Sequence, residues 1–134
     1  MADTAQKEPT ARPLSPHLSI YRPTMTMAMS IAHRITGAKL YFGAALMVWW
    51  LLALASGPAA FAWAAWFFGS PLGFLVLFAL SWALMHHLLG GVRHFVWDLG
   101  YGFDAPMRDR LATGTAVGGF VLTALVWALA LALG

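Results

Sequence analysis

Residues 40–92 read LYFGAALMVWWLLALASGPAAFAWAAWFFGSPLGFLVLFALSWALMHHLLGGV, 53 consecutive positions without an Asp, Glu, Lys or Arg. A helix needs about 20 mainly apolar residues to cross a hydrocarbon layer about 30 Å thick. This stretch therefore holds two spans and a short connection. A second uncharged run, residues 111–134, holds a third. The whole 134-residue sequence is 60% hydrophobic and 10% charged, against about 25% charged in an ordinary soluble domain. A soluble chain of this size leaves much of its surface in water and has too little interior to shelter so many apolar side chains. The fold class is an all-α membrane protein with three transmembrane helices and an extended N-terminal arm on the cytoplasmic side.

Punctuation residues set the boundaries. Residues 1–29 form the arm, in which Pro9, Pro13, Pro16 and Pro23 restrict the backbone and remove donors. The membrane domain is expected over residues 30–134. Its first helix, about 30–55, ends at Ser56, Gly57 and Pro58. Residues 56–70 carry Phe61, Trp63, Trp66, Phe67 and Phe68 and no charge, the composition of a segment at the lipid–water boundary. Pro71 suits the first turn of a second helix, about 71–97. Gly100, Gly102 and Pro106 interrupt the pattern before a third, about 111–133.

Lys7, Arg12, Arg22, Arg34, Lys39, Arg93, Arg108 and Arg110 are all the basic residues, and with three spans every one falls on the same side. The excess of Lys and Arg places that side in the cytoplasm and the C-terminus in the periplasm. The arm carries Asp3 and Glu8 and no apolar core, unlike a cleavable signal or a transit peptide. A bacterial inner membrane is the expected location. The net charge of +3 thus reports topology. Membrane lipids are the expected surroundings and nucleic acid is not an expected partner. The sequence has no cysteine, so it offers no disulfide, no thiolate for an iron–sulfur cluster and no covalent haem attachment.

Three of the five histidines, His86, His87 and His94, fall on the second span. Imidazole at membrane depth faces protein or cofactor, because lipid offers it no partner. His87 precedes Arg93 by six residues, roughly 9 Å deeper along a helix. His87, Gly90, Gly91 and His94 follow i, i+3, i+4, i+7 spacing and share a face on which glycine removes bulk, so a flat macrocycle can approach. The structural alternative is a histidine bonded to a neighbouring helix, with the glycines serving close helix contact. His86 points about 100° away from His87 and cannot join it on one iron. Ser30, His33, Arg34 and Gly37 form a second stripe with the same spacing near the cytoplasmic end of the first span. Its donors suit anionic propionates or quinone carbonyls, and a snorkelling Arg34 among lipid phosphates accounts for it equally well. Asp98, Asp104 and Asp109 need only be solvated charge or subunit contact. Gly114 and Gly118 read as a helix-packing pair.

Residues 12–21 (RPLSPHLSIY), 30–37 (SIAHRITG) and 87–101 (HLLGGVRHFVWDLGY) together resemble the cytochrome b membrane-anchor family of succinate dehydrogenase. The pattern S-x-x-H-R-x-[ST]-G, followed about 50 residues later by H-x-x-x-G-x-R-H, carries the resemblance. The family implies a complex in which a flavoprotein subunit oxidises succinate and an iron–sulfur subunit passes electrons toward ubiquinone. The anchor performs no dehydrogenation and has no catalytic residue of its own. With a second membrane-anchor subunit it holds haem b and forms part of the ubiquinone site. By matching position, His87 is the axial ligand of the haem iron, and His33, Arg34 and His94 lie near the propionates. Ser30, Ile31 and Arg34 match quinone-site positions, and His86 matches none. Two ligand nitrogens on one iron lie about 4 Å apart, whereas His87 and His94 are about 10 Å apart along their helix. The second axial ligand is therefore expected from another helix, by resemblance that of the partner anchor. Alternatives are a fumarate reductase anchor, a haem-free scaffold, or a membrane subunit using its histidines as a proton relay.

Overall fold

A computed structural model describes His17 and residues 20–133, which form four helices and no strand. The helix α1 spans Met25–Ala55, α2 Pro58–Phe68, α3 Pro71–Asp98 and α4 Ala105–Leu133. Three of them, α1, α3 and α4, are long and apolar enough to cross a membrane. The RPLSPH arm lies outside the described residues apart from His17.

Each start has a local cause. The Thr24 side chain accepts the Met27 N–H, and Ser70 accepts the Gly73 N–H at 3.1 Å beside Pro71 in the first turn. Such caps satisfy amide donors that have no intrahelical partner. Three boundaries depart from the sequence expectation. The first helix starts at Met25 rather than residue 30, because nothing after Pro23 opposes it. The connection 56–70 folds into α2, entered through Gly57 at φ 105°. The last helix starts at Ala105 rather than residue 111. Pro106 opens it instead of breaking it, since a first-turn N–H bonds to nothing in the helix. The Asp104 carboxylate caps it by accepting the Met107 N–H at 3.1 Å, a role beyond solvated charge.

The spans run antiparallel in sequence order. Gly37 meets His87, Gly90 meets His33 and Gly43 meets Leu80 across α1 and α3, while Gly118 meets Leu89 and Gly119 meets His86 across α3 and α4. The α3–α4 seam brings His86 and Arg93 on one side to Thr115 and Gly119 on the other, all buried. Small residues at this spacing let backbones approach, which is how helices associate where lipid removes the hydrophobic drive. A Cβ at Gly119 would stand 3.2 Å from the His86 Cα. The buried hydroxyls of Thr115 and Thr123 donate to the carbonyls of Leu111 and Gly119, four residues back, and so need no outside partner. Gly73 lets the C-terminal end of α2 lie against the start of α3, where any side chain would strike the Phe67 carbonyl.

Among the described residues the buried apolar side chains are all alanines, Ala53, Ala64, Ala83 and Ala112, while many phenylalanines, tryptophans and leucines are exposed, Phe42, Trp63, Trp66 and Leu131 among them. A fold that turns its large apolar groups outward is at home only in lipid.

Candidate functional site

About two turns beyond the Met25 end of α1, His33 projects toward α3 and lies flat on His87. The two imidazoles stack with centroids 3.9 Å apart and planes 7° from parallel. His94, two turns along α3, sets its ring edge-on to His33 at 5.3 Å. Glycine makes this arrangement possible. A Cβ at Gly90 would run into the His33 ring, and one at Gly37 would press on His87 Cε1 at 3.0 Å. Gly91 meets no atom of this chain within 4 Å. Of the two glycines expected beside His87, one therefore seats a histidine and the other leaves the helix surface open.

The hydrogen bonds at His87 define its chemistry. Its Nδ1 lies 3.1 Å from the His33 carbonyl oxygen, which can only accept, so Nδ1 carries the proton. The Thr36 hydroxyl stands 3.3 Å from the same nitrogen. That hydroxyl has its own acceptors, the Ala32 and His33 carbonyls at 2.9 Å, and turns a lone pair to His87. With Nδ1 committed to α1, Nε2 keeps a free lone pair. This is the arrangement of metal-ligating histidines, whose second nitrogen donates to a carbonyl that fixes tautomer and ring orientation. The fit to an iron porphyrin is thus good on two counts: a bare, oriented Nε2 and an open glycine surface one turn away. The stacked His33 cannot be the opposite ligand in this arrangement. Iron lies in the plane of each imidazole that binds it, and two parallel rings 3.9 Å apart leave no room between them for a macrocycle.

The structure thus brings together His33, His87 and His94 of the residues singled out from sequence. Ser30 and Arg34 lie on the neighbouring flank of α1, both exposed, and Ile31 points further from the α1–α3 seam. None of these three contacts the histidine stack. Thr36 and Gly37 shape the site, although the sequence marked them only as motif positions. The signal for Thr36 was its i+3 spacing from His33. His86 is buried about 100° around α3 from His87, facing Gly119 of α4 and stacked on Trp82 at 5.3 Å, outside the stack.

The fold and its half-buried imidazole stack define a class: a membrane protein with three apolar helices long enough to span and a pre-oriented histidine between two of them. Residues 8–132 match the family described as succinate dehydrogenase/fumarate reductase transmembrane subunit. The chain is 44% identical over 114 residues to the succinate dehydrogenase cytochrome b556 subunit of Paracoccus denitrificans, covering 85% of this chain and 88% of that one. It is 36% identical over 127 residues to the cytochrome b556 subunit of Rickettsia conorii, covering 95% and 99%. With the mitochondrial cytochrome b560 subunit of Bos taurus it shares 42% identity over 119 residues, covering 85% and 66%. The chain belongs to the succinate dehydrogenase/fumarate reductase transmembrane subunit family.

Proposed function

We propose that this chain anchors a succinate:quinone oxidoreductase in a bacterial inner membrane, binds haem b together with a second anchor subunit, and forms part of the ubiquinone-reduction site. The observation that carries this reading is His87, whose Nδ1 is tied to the His33 carbonyl and whose Nε2 is left to bind iron. When bound, a haem ligated by two imidazoles supplies a one-electron iron couple closed to oxygen. His87 would be one protein ligand of the haem iron, and the partner anchor would supply the second. His33 and Thr36 keep the His87 ring in one orientation and one tautomer. His94 and Arg34, toward the cytoplasmic boundary, offer donors to the propionates.

Quinone reduction consumes two electrons and two protons, so its site adjoins the boundary where water and the electrons of an iron–sulfur subunit both arrive. Ser30 and Arg34 lie there, on an exposed flank of α1 that a partner subunit can close. The Ser30 hydroxyl and the Arg34 guanidinium donate to a quinone carbonyl, and Ile31 supplies apolar contact to the ring. A flavoprotein subunit performs the dehydrogenation. Succinate oxidation is favoured over fumarate reduction because the relatives described above are succinate dehydrogenase subunits.

The test is a reduced-minus-oxidised spectrum of the purified complex beside that of a His87→Leu variant. The intact complex is expected to show a b-type α-band that the variant loses or shifts to a high-spin form. An unaltered band in the variant removes His87 as ligand.

A further inference from the structure

Arg93 is the one residue of the H-x-x-x-G-x-R-H motif to which the reading above gives no task. Its side chain is 3% exposed, and its Nε and Nη1 are buried with no hydrogen-bond partner among the described residues. The guanidinium lies over the Trp97 ring at 5.1 Å, but a cation–π contact uses the flat face and leaves the in-plane N–H groups unpaired. A cation at membrane depth is retained with a counter-charge. None is supplied by α3, where Asp98 is exposed at the helix end, and Asp109 on α4 lies 3.7 Å from the Arg108 Nε.

Arg93 lines a groove of about 190 Å³ between α3 and α4, with Leu89 and Val96 beside it and Arg110, Gly114 and Thr115 opposite. Arg93 lies five residues before the end of α3, and Arg110 five after the start of α4. At 1.5 Å per residue both stand about 7.5 Å inside their helix ends, the depth of a headgroup boundary. Gly114, expected from its spacing with Gly118 to pack against a helix, meets nothing within 4 Å, whereas Gly118 meets Leu89. The open glycine floors the groove and extends it into a neighbouring furrow lined by Pro106, Asp109, Thr113 and Val117.

The direction of the groove separates it from the histidine site. At about 100° per residue, its α3 residues Leu89, Val92, Arg93 and Val96 centre about 190° around the helix from His87. A haem and the subunit that shares it approach α3 from the other side, so the occupant of this groove is neither a propionate nor that partner. A surface flanked by outward-facing Val92 and Val117 borders lipid.

We propose that this groove seats an anionic phospholipid of the cytoplasmic leaflet, its phosphodiester between the Arg93 and Arg110 guanidiniums and one acyl chain following Gly114 down the α3–α4 seam. Guanidinium donors match phosphate oxygens, and basic pockets between spans on this side select anionic headgroups. The exclusion of a propionate and of the partner anchor rests on the haem reading, and lipid retention is read apart from the haem band, so the two can fail separately.

The test uses the purified complex, depleted of lipid in detergent and returned to nanodiscs of phosphatidylglycerol or of phosphatidylcholine. Native mass spectrometry after release from the discs counts retained lipid. Phosphatidylglycerol should be retained in preference to phosphatidylcholine, and Arg110→Gln, at an exposed position, should reduce retention about fivefold. Arg93→Gln and Gly114→Leu should do the same. Millimolar inorganic phosphate should not displace the lipid. Equal retention of both lipids, or retention unchanged in Arg110→Gln and Gly114→Leu, overturns the proposal. So does displacement by inorganic phosphate, which makes the site one for a free anion. A photocrosslinker at Val117 that captures a protein subunit instead of lipid overturns it as well.

Discussion

Two adjacent glycines, Gly90 and Gly91, carry opposite predictions because their surroundings differ. At Gly90 a methyl group has no space beside the His33 ring. Gly90→Ala should therefore push that ring off His87, at a cost of about 1–3 kcal/mol typical of overpacking, and thermal unfolding of the purified complex in detergent should report it. Gly91 meets no side chain of the described residues within 4 Å. Gly91→Leu should leave insertion and stability of the chain within about 0.5 kcal/mol yet abolish haem absorbance, because the side chain fills the surface a porphyrin would approach. Normal haem content in Gly91→Leu would remove that surface from the proposed cofactor site. Thr36→Val tests the hydrogen bonding to His87 Nδ1 more gently. It withdraws a long acceptor at 3.3 Å and leaves the His33 carbonyl in place. Reduced ligand basicity should raise the haem midpoint by roughly 20 mV, equivalent to about 0.5 kcal/mol, as read by potentiometric titration. Arg34→Ala should cut ubiquinone reduction at least about tenfold, since a charge-assisted donor is lost. Succinate oxidation by an artificial acceptor should persist, and unchanged quinone turnover would exclude Arg34 from that site.

Among the helices, the α3–α4 pair depends on close backbone approach and α2 on one glycine. Gly119→Val brings a branched side chain against the His86 Cα and Cβ and should destabilise the bundle by about 1–3 kcal/mol, measured as a lower midpoint in detergent unfolding. His86 packs on the α4 side of α3. It is the broad side chain across from Gly119, stacked on Trp82, whose other neighbours are the Phe120 ring at 5.2 Å and the Lys39 Nζ at 5.8 Å, and its two ring nitrogens are buried with no hydrogen-bond partner among the described residues. The α2 helix exposes Trp63 and Trp66, 71% and 69% accessible, on the side of the bundle that holds none of the basic residues. Indoles at such a boundary anchor a helix in the headgroup layer.

For the molecule as a whole, the order of the Lys and Arg residues along the sequence, all in the arm, the first half of α1 or around the α3–α4 connection, predicts a cytoplasmic N-terminal arm. A C-terminal alkaline phosphatase fusion should be active and a C-terminal green fluorescent protein dark, and the reverse pattern would invert the topology. That grouping could be read without coordinates, as could the number of spans, because both follow from run lengths free of charge and from the bilayer's fixed thickness. The spacing of the histidines along their helices was also legible, since helical rise and periodicity are constants of the α-helix. What had to come from packing was which groups meet. Seven-residue spacing put His87 and His94 on one face, but only the crossing of α1 over α3 brought the His33 ring and carbonyl onto His87. Likewise Arg93 served in the sequence as a marker of the membrane boundary, and its burial against α4 with unpaired N–H groups emerged only once the third span was in place. Periodicity describes one helix at a time, whereas contact between helices depends on which small residues let two backbones close to touching distance.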